Sequence, residues 1–409
     1  MGGIGMSIVQ LNDICEFIVD CPHTTARDEG TGYPLVRTPN IGRGRLIYTG
    51  MHRVSLEIYN KRNARAIPQK DDLIFAREAT AGNVALIQEG EKICLGQRTV
   101  LLRPNKSYVS PAYLTYCLLA PKQQYNLLCT ANGATVAHVN LPTIRNLKID
   151  LPGISIQNKI ATILSRYDSL IDNYQKQIKL LEEAAQRLYK EWFVDLHFPG
   201  YENTPVVGGV PEGWEKKKLG DIFSFVRGKS YTSKELSDSG TLMVNLKNIA
   251  PFGGYKRNAE KHFIGSYNQN QSLSKGDLVM GVTDMTKERR LVGHVAMVPF
   301  LSDKVTFSMD LIKILPFNIP NSFLYASMRF GGISQKISPL ANGVNVLHLK
   351  PEAIMDIEFV KPKRDLIDRY SNFSENSYEK IWTLEAQISL LTEARDRLLP
   401  KLMSGEIEV

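Results

Sequence analysis

The chain has 409 residues, 43% hydrophobic and 22% charged, and its 50 Lys/Arg against 42 Asp/Glu give a net charge of +8. That composition excludes disorder as the main state and leaves room for more than one cored domain. No apolar run approaches the roughly 18 residues of a membrane span, and five cysteines without a C-x-x-C pair argue against a zinc site or a disulfide framework.

The first residues, Met1 to Ser7, have neither a basic region nor an apolar core, so no signal peptide and a cytoplasmic location are expected. A short apolar segment, Leu11 to Phe17, is followed by strands expected at 33–36, 72–75, 84–87 and 100–102, separated by Gly, Pro and Asn. A helix is expected over 111–119. Next, Ile171, Tyr174, Ile178, Leu181, Ala185, Leu188 and Trp192 recur at alternating steps of three and four. This a/d stripe predicts a helix from near Ile154 to Val194, about 60 Å long at the helical rise. Prolines and paired glycines over 198–214 then predict an irregular crossover. The pattern begins again at Leu219 to Phe225, with strands expected at 241–244, 277–280, 294–297 and 311–314 and a helix over 321–330. It closes on Ile381, Leu384, Ile388, Leu391, Arg395, Leu398 and Leu402, a second stripe interrupted only by Arg395. The fold class that follows is α+β.

The recurrence is also visible residue by residue. Asn132-Gly133-Ala-Thr135-Val136-Ala-His138 returns as Asn342-Gly343-Val-Asn345-Val346-Leu-His348, and the offset of 210 residues still holds at Ile144/Ile354, Gln177/Gln387 and Arg187/Arg397. So long a period describes whole domains with an appended helix, and two such units can be related by an approximate two-fold axis. An amphipathic helix of that length needs a partner, and the other stripe supplies one, giving an antiparallel pair. Pairing with a second copy of the chain is the alternative.

Residues 1–150 and 205–360 each carry a net charge of +5, and the two helical segments carry −1 each. Two basic units suit a polyanion such as double-stranded DNA. Units reading different half-sites should agree at framework positions and differ at readers. The candidate readers are therefore Arg37, Asn40, Arg43, Arg45, Arg77, Thr80 and Arg98 in the first unit. In the second they are Asn245, Lys247, Asn248, Arg257, Thr283, Lys287, Arg289 and Arg290. Arg and Lys can fork onto guanine and Asn onto adenine, while the same cations also neutralise phosphates. Thr135, His138, Asn345 and His348 of the repeated motif are further candidates, although an Asn-Gly turn with a structural His is the plainer reading. Lys61-Arg62 and Lys216-Lys217-Lys218 are expected on DNA backbone or in water.

No catalytic constellation is apparent. Arg227-Gly228-Lys229-Ser230 ends like a phosphate-binding loop but has Phe223 where that loop needs glycine. Tetrapeptides for amino-methylation, a methyl-donor loop and metal-ligand spacings are not found either, so no catalytic residue and no metal ligand is assigned.

Three stretches resemble a known family, the specificity (S) subunits of type I restriction–modification systems. They are Asp150-Leu-Pro-Gly-Ile-Ser-Ile-Gln157 with the helix after it, Lys190-Glu-Trp-Phe193 leading into Val210-Pro-Glu-Gly-Trp214, and Ala394-Arg-Asp-Arg-Leu-Leu-Pro400-Lys-Leu-Met-Ser404-Gly-Glu-Ile407. One departure stands out: the second helix lacks a counterpart of Gln157 and is expected to start or dock differently. The resemblance implies target recognition domains at 1–150 and 214–362, spacer helices at 151–198 and 363–409 forming an antiparallel coiled coil, and a crossover at 199–213. It further implies that the chain is a non-catalytic reader of a bipartite, asymmetric DNA site that docks methyltransferase subunits, two per chain. Those subunits, and not this chain, would bind S-adenosylmethionine, and a restriction subunit would be able to join. The rival expectations are a self-sufficient methyltransferase or nuclease, and a coiled-coil adaptor.

Overall fold

The computed structural model describes residues 7–129 and 138–409. The chain divides into two units: unit 1 comprises Met1–Asn173 with Ile388–Val409, and unit 2 comprises Tyr174–Gln387.

Unit 1 contains β1 (Ser7–Gln10), β2 (Cys15–Asp20), β3 (Tyr33–Val36), β4 (His52–Val54), α1 (Leu56–Arg62), β5 (Leu73–Ala76), β6 (Val84–Leu86), β7 (Cys94–Leu95) and β8 (Thr99–Pro104). These are followed by α2 (Pro111–Leu119), α3 (Pro121–Leu128), α4 (Leu141–Arg145), β9 (Lys148–Leu151) and the first part of α5 (Ile154–Phe193). The strands form a sheet of order β2-β8-β5-β6 and a smaller one of order β4-β3-β7. Successive side chains of a strand point to opposite faces, and β5 uses this to serve two cores. Leu73 and Phe75 join Val100, Leu102 and the α2 residues Tyr113 and Leu114, whereas Ile74 and Ala76 join Val36, Ala85 and Leu101. All four β5 residues are consequently buried.

Unit 2 repeats this plan. After a hairpin of β10 (Val206–Val207) and β11 (Val210–Pro211) come β12 (Glu215–Lys218), β13 (Phe223–Arg227), β14 (Leu236–Ser237), β15 (Thr241–Val244), β16 (Lys261–Phe263), β17 (Leu278–Gly281) and β18 (Thr283–Asp284). Then follow β19 (Val295–Met297), β20 (Val305–Phe307), β21 (Leu311–Pro316), α6 (Asn321–Phe330), α7 (Ile333–Ile337), β22 (Leu347–His348), β23 (Glu358–Lys361) and α8 (Arg364–Ser404). The main sheet, of order β13-β21-β17-β19, matches that of unit 1 strand for strand. Its β17 splits in the same way, with Leu278 and Met280 facing α6 and Val279 facing Ala296 and Phe307. In both units the first strand pairs antiparallel with the strand that precedes the long helix, as β1 with β9 and β12 with β23.

Both long helices start at the same place in the repeat, Ile154 and Arg364, despite the departure at Gln157. The buried Gln157 side chain accepts from the Ser110 N–H at 2.8 Å and donates to the carbonyls of Tyr108 and Pro152. Its counterpart is the fully buried Ile367; the second helix replaces this polar clasp with apolar packing and does not shift its start. Although α5 has 40 residues and α8 has 41, no helix among the described residues is long and apolar enough to cross a membrane.

Within each unit the segments of α5 and α8 run antiparallel. In unit 1 Ile160, Ala161 and Leu164 pack in one cluster with Leu398, Leu399 and Leu402. In unit 2 Ile178, Leu181 and Leu188 join Tyr370, Tyr378 and Ile381. Ile171, Ile381 and Leu384 of the expected stripes are buried, while Tyr174, Ile178, Leu181, Leu188, Ile388, Leu391 and Leu398 are half-buried. The deepest position near the end of α5 is Tyr189 and not its neighbour Leu188, the drift expected when a straight helix departs from a 3.5-residue repeat. Tyr189 and Phe193 stack edgewise around Tyr370, with centroids 5.4 and 5.6 Å away, and the Tyr370 hydroxyl donates to the Ala185 carbonyl at 3.1 Å.

Arg395, which interrupts the stripe, is not an exposed defect. Its Nη1 lies 2.6 Å from Oδ1 of Asp168 on α5, whose Oδ2 accepts from the Tyr116 hydroxyl, also at 2.6 Å. Burial and then Asp168 raise the Tyr116 pKa. Arg45 also reaches Asp168 and Asp172, so unit 1 has an Arg–carboxylate hub between its two helical segments.

Candidate nucleic-acid interface

In unit 1 one end of the main sheet gathers several of the expected residues. Arg77 directly follows β5, Arg98 precedes β8, Asp20 ends β2, and His138 lies where the chain returns beside β5. Arg77 is buried and fully committed: Nη1 meets Asp20 at 2.7 Å, Nε donates to the Val139 carbonyl at 3.0 Å, and Nη2 lies 3.0 Å from Nε2 of His138. Since a guanidinium can only donate, that imidazole nitrogen accepts, and Nδ1 carries the proton toward Glu78 Oε1 at 2.6 Å. The other Glu78 oxygen holds Arg98 at 2.5 Å. The row Asp20–Arg77–His138–Glu78–Arg98 thus ends on a side chain that is 58% exposed. Arg98 sits at φ +65°, a conformation costly for a non-glycine residue and often found where function demands it. Arg98 is the group presented; Arg77 and His138 position it.

The other expected residues of unit 1 are distributed differently. Asn40 is buried, with its Oδ1 accepting from the Arg37 N–H and its Nδ2 donating to the Ile47 carbonyl, so it caps a turn and offers no fork to adenine. Thr80 donates to the Thr38 carbonyl. Arg37 is half-buried and donates to the Gly50 carbonyl. Arg43 donates to the Leu119 carbonyl at the end of α2, and Arg45 faces α5, so both point toward helices. Thr135 lies outside the described residues.

In unit 2 Asn245 and Asn248 are again buried caps, Asn248 Oδ1 accepting from the Asn245 backbone and side chain. Conserving the cap within the chain is framework behaviour, and these two residues are likewise closed to base reading. Arg257 is held by Glu385 of α8 at 2.6 Å, and the buried Thr283 donates to Asp310. Lys247, Asn345 and His348 are exposed. The second Asn-Gly motif opens a wider loop and not a tight turn: Asn342 and His348 exchange backbone hydrogen bonds at 3.0 and 2.8 Å across the intervening residues. At Gly343 a Cβ would come within 1.9 Å of the Val346 carbonyl oxygen, so only glycine fits.

Lys287, Arg289 and Arg290 lie on a loop organised by Asp284, which composition and spacing did not single out. The buried Asp284 carboxylate accepts from the Thr286 N–H and hydroxyl and from the N–H groups of Leu291 and Val292, at 2.6 to 3.1 Å. Burial works to raise its pKa, but these donors outweigh it and hold the carboxyl below its usual value. The loop therefore leaves a stiff base and displays Met285, which is 78% exposed, beside Lys287 and Arg290. The signal in the sequence was Asp284-Met-Thr286 at the end of a strand, an Asx-turn pattern.

One pair of equivalent positions separates the units sharply. The N–H after β5 donates to the Arg98 carbonyl in unit 1, and the corresponding Val282 N–H donates to the Asp310 carbonyl in unit 2. The same turn of the same fold thus presents Gln97-Arg98 in one unit and Met309-Asp310 in the other, with Met309 55% exposed. The framework is kept while the exposed Arg98 of unit 1 gives way to a half-buried Asp310 that accepts from the Thr283 and Ser308 hydroxyls, a difference suited to two readers of different half-sites.

A family model described as the type I restriction modification DNA specificity domain matches residues 4–183 and again residues 211–363. The type I restriction enzyme MjaIX specificity subunit of Methanocaldococcus jannaschii is 27% identical over 395 residues, 93% of this chain and 88% of that protein. The HindI specificity subunit of Haemophilus influenzae is 21% identical over 421 residues, 84% of this chain and 88% of that protein. In fold, the chain is similar to the crystal structure of a type I restriction–modification S subunit from M. genitalium, with a TM-score of 0.61 at 16% identity over 98% of this chain and 97% of that one. Two matches to one family model, on two units that share a sheet order, place this chain in the type I restriction–modification specificity family, whose domains recognise DNA sequence.

Proposed function

We propose that the chain is the non-catalytic reading subunit of a type I restriction–modification complex in the cytoplasm. In this reading, recognition domains at 1–150 and 214–362 each take one half of a bipartite, asymmetric site. The helices at 151–198 and 363–409 dock two methyltransferase subunits, and 199–213 is the crossover. S-adenosylmethionine binding and methyl transfer belong to those partners, and a restriction subunit completes the assembly where DNA is also cut. The observation that carries the asymmetry is the equivalent turn holding Arg98 in unit 1 and Asp310 in unit 2. Sequencing of methylated adenines in DNA from cells expressing the full complex tests it. Arg98→Ala is expected to relax the motif in one half and leave the other half unchanged. Equal relaxation of both halves, or methyl transfer or cleavage by the purified chain alone, would overturn the proposal.

A further inference from the structure

Unit 1 holds a group of cations that its carboxylates leave unbalanced. Arg62, the last residue of α1, is 5% exposed, and its guanidinium donates through Nε to the Leu95 carbonyl at 2.5 Å, through Nη1 to Thr24 at 2.9 Å and through Nη2 to Pro22 at 3.3 Å. Three carbonyl dipoles replace its water, but no carboxylate among the described residues cancels its charge. A buried ion without a counter-ion is costly, and the field of its charge extends into whatever cavity it lines.

It lines two. A cleft of ≈ 500 Å³ on one side of the loop Pro22–Ala26 is bordered by Arg27, Lys61 and Arg65 as well as Arg62. A cleft of ≈ 300 Å³ on the other side is bordered by Arg37, Gln97, Arg98 and again Arg62. Arg27, Lys61 and Arg65 are exposed and form no ion pair among the described residues. In contrast, Lys70, Arg103, Lys106 and Lys122 of the same unit each face a carboxylate. The nearby acids are already engaged: Asp20 by Arg77, Asp28 by the N–H groups of Gly30 and Arg53, and Glu29 by that of Ser55. The loop between the clefts is braced from both sides, since Gln97 donates to the His23 carbonyl and accepts from the Thr25 hydroxyl. In unit 2 the segment between β16 and β17 forms only a single turn, Gln269–Gln271, where unit 1 has α1.

From this we infer that the loop Pro22–Ala26 and its flanking clefts form an anion site of unit 1 that grips the phosphodiester backbone of duplex DNA beside the half-site which that unit reads. The inference rests on the DNA-reading role given above and adds where one unit holds the backbone. Arg62 sets the loop and the background charge, and Arg27, Lys61 and Arg65 meet the phosphates. Such contacts fix register without reading bases.

The test is the full chain with Arg27→Ala, Lys61→Ala and Arg65→Ala together. Arg62 is left in place because it pins the loop, and an unchanged melting temperature confirms that the variant folds. Binding is measured against salt concentration on a duplex carrying the methylated motif and on a scrambled duplex. Each lost phosphate contact lowers the log–log salt slope by about 0.9, so a decrease of about 2 to 3 is expected, with the preference for the motif over the scramble preserved. Lysine at positions 27 and 65 should restore the slope, because a point charge satisfies a phosphate but not a forked base contact. An unchanged slope, or a lost preference at constant slope, overturns the site while leaving the recognition reading intact. A wild-type chain that binds neither duplex overturns both.

Discussion

The Asp168–Arg395 pair allows a quantitative test of the helical pairing in unit 1. Arg395→Leu keeps an apolar stem in the stripe but leaves the Asp168 carboxylate without its guanidinium. Breaking one side of a buried pair costs about 3–5 kcal/mol. Here both side chains retain roughly 15% exposure, and Tyr116 and Arg45 remain on Asp168, so the expected loss is about 2–3 kcal/mol. Adding Asp168→Asn removes the stranded charge while keeping an acceptor for Tyr116, and should recover about 1–2 kcal/mol, a coupling typical of residues in contact. The chain supplies its own probes: Cys15, Cys21, Cys94, Cys117 and Cys129 all lie in unit 1, and Trp192, Trp214 and Trp382 all lie in unit 2. Thiol labelling in urea therefore follows unit 1 and tryptophan fluorescence follows unit 2. Arg395→Leu should shift the labelling transition the more strongly of the two. If it costs no more than Arg397→Leu, whose side chain is 79% exposed and whose loss should stay within about 0.5 kcal/mol, the hub reasoning is wrong.

Four further outcomes are expected. Native chain should expose one fast-reacting thiol, that of Cys129, since burial pushes Cys15 and Cys117 up to about 12 and Cys94 up to about 11; two or more fast thiols by colorimetric titration would contradict the packing. Because the folded Asp284 pKa lies below the unfolded value, its contribution is complete above that value and is lost as pH falls through the folded pKa. Denaturation midpoints should be flat from neutral pH to about 5 and fall below about 4, and Asp284→Asn should flatten that acid limb. Tyr370→Phe should cost about 1 kcal/mol by tryptophan fluorescence, the net value of one buried hydrogen bond, and a neutral result would remove the Ala185 contact from the account. Arg289→Ala with Arg290→Ala should weaken protection of one half-site in footprinting, and equal loss at both would refute reading by separate units.

The large periods were legible in the sequence and the polar partners were not. Helices of 40 and 41 residues repeat their apolar signal many times, so the stripes identified α5 and α8 and the end at Phe193 fell one residue from expectation. The strand spacing likewise survives, because β5 and β17 must feed two cores by alternation. What a polar side chain does depends on neighbours distant in sequence. Asn40 and Asn248 looked like base forks and are turn caps; Arg77 looked like a reader and braces Arg98 through His138 and Glu78. Arg62 was expected on DNA backbone or in water, and only the placement of Pro22, Thr24 and Leu95 around it shows a buried cation.

The hub in unit 1 also bears on self-recognition. At the 210-residue offset Asp168 corresponds to Tyr378 and Arg395 to Ala185. Two copies of α5 laid together in the register seen here would oppose an aspartate to an alanine, a stranded charge beside a void. Two copies of α8 would force a tyrosine against an arginine in space shaped for a methyl group. At this position each rod is thus ill-suited to its own duplicate and matched to its sibling, which disfavours exchanging one rod for the other.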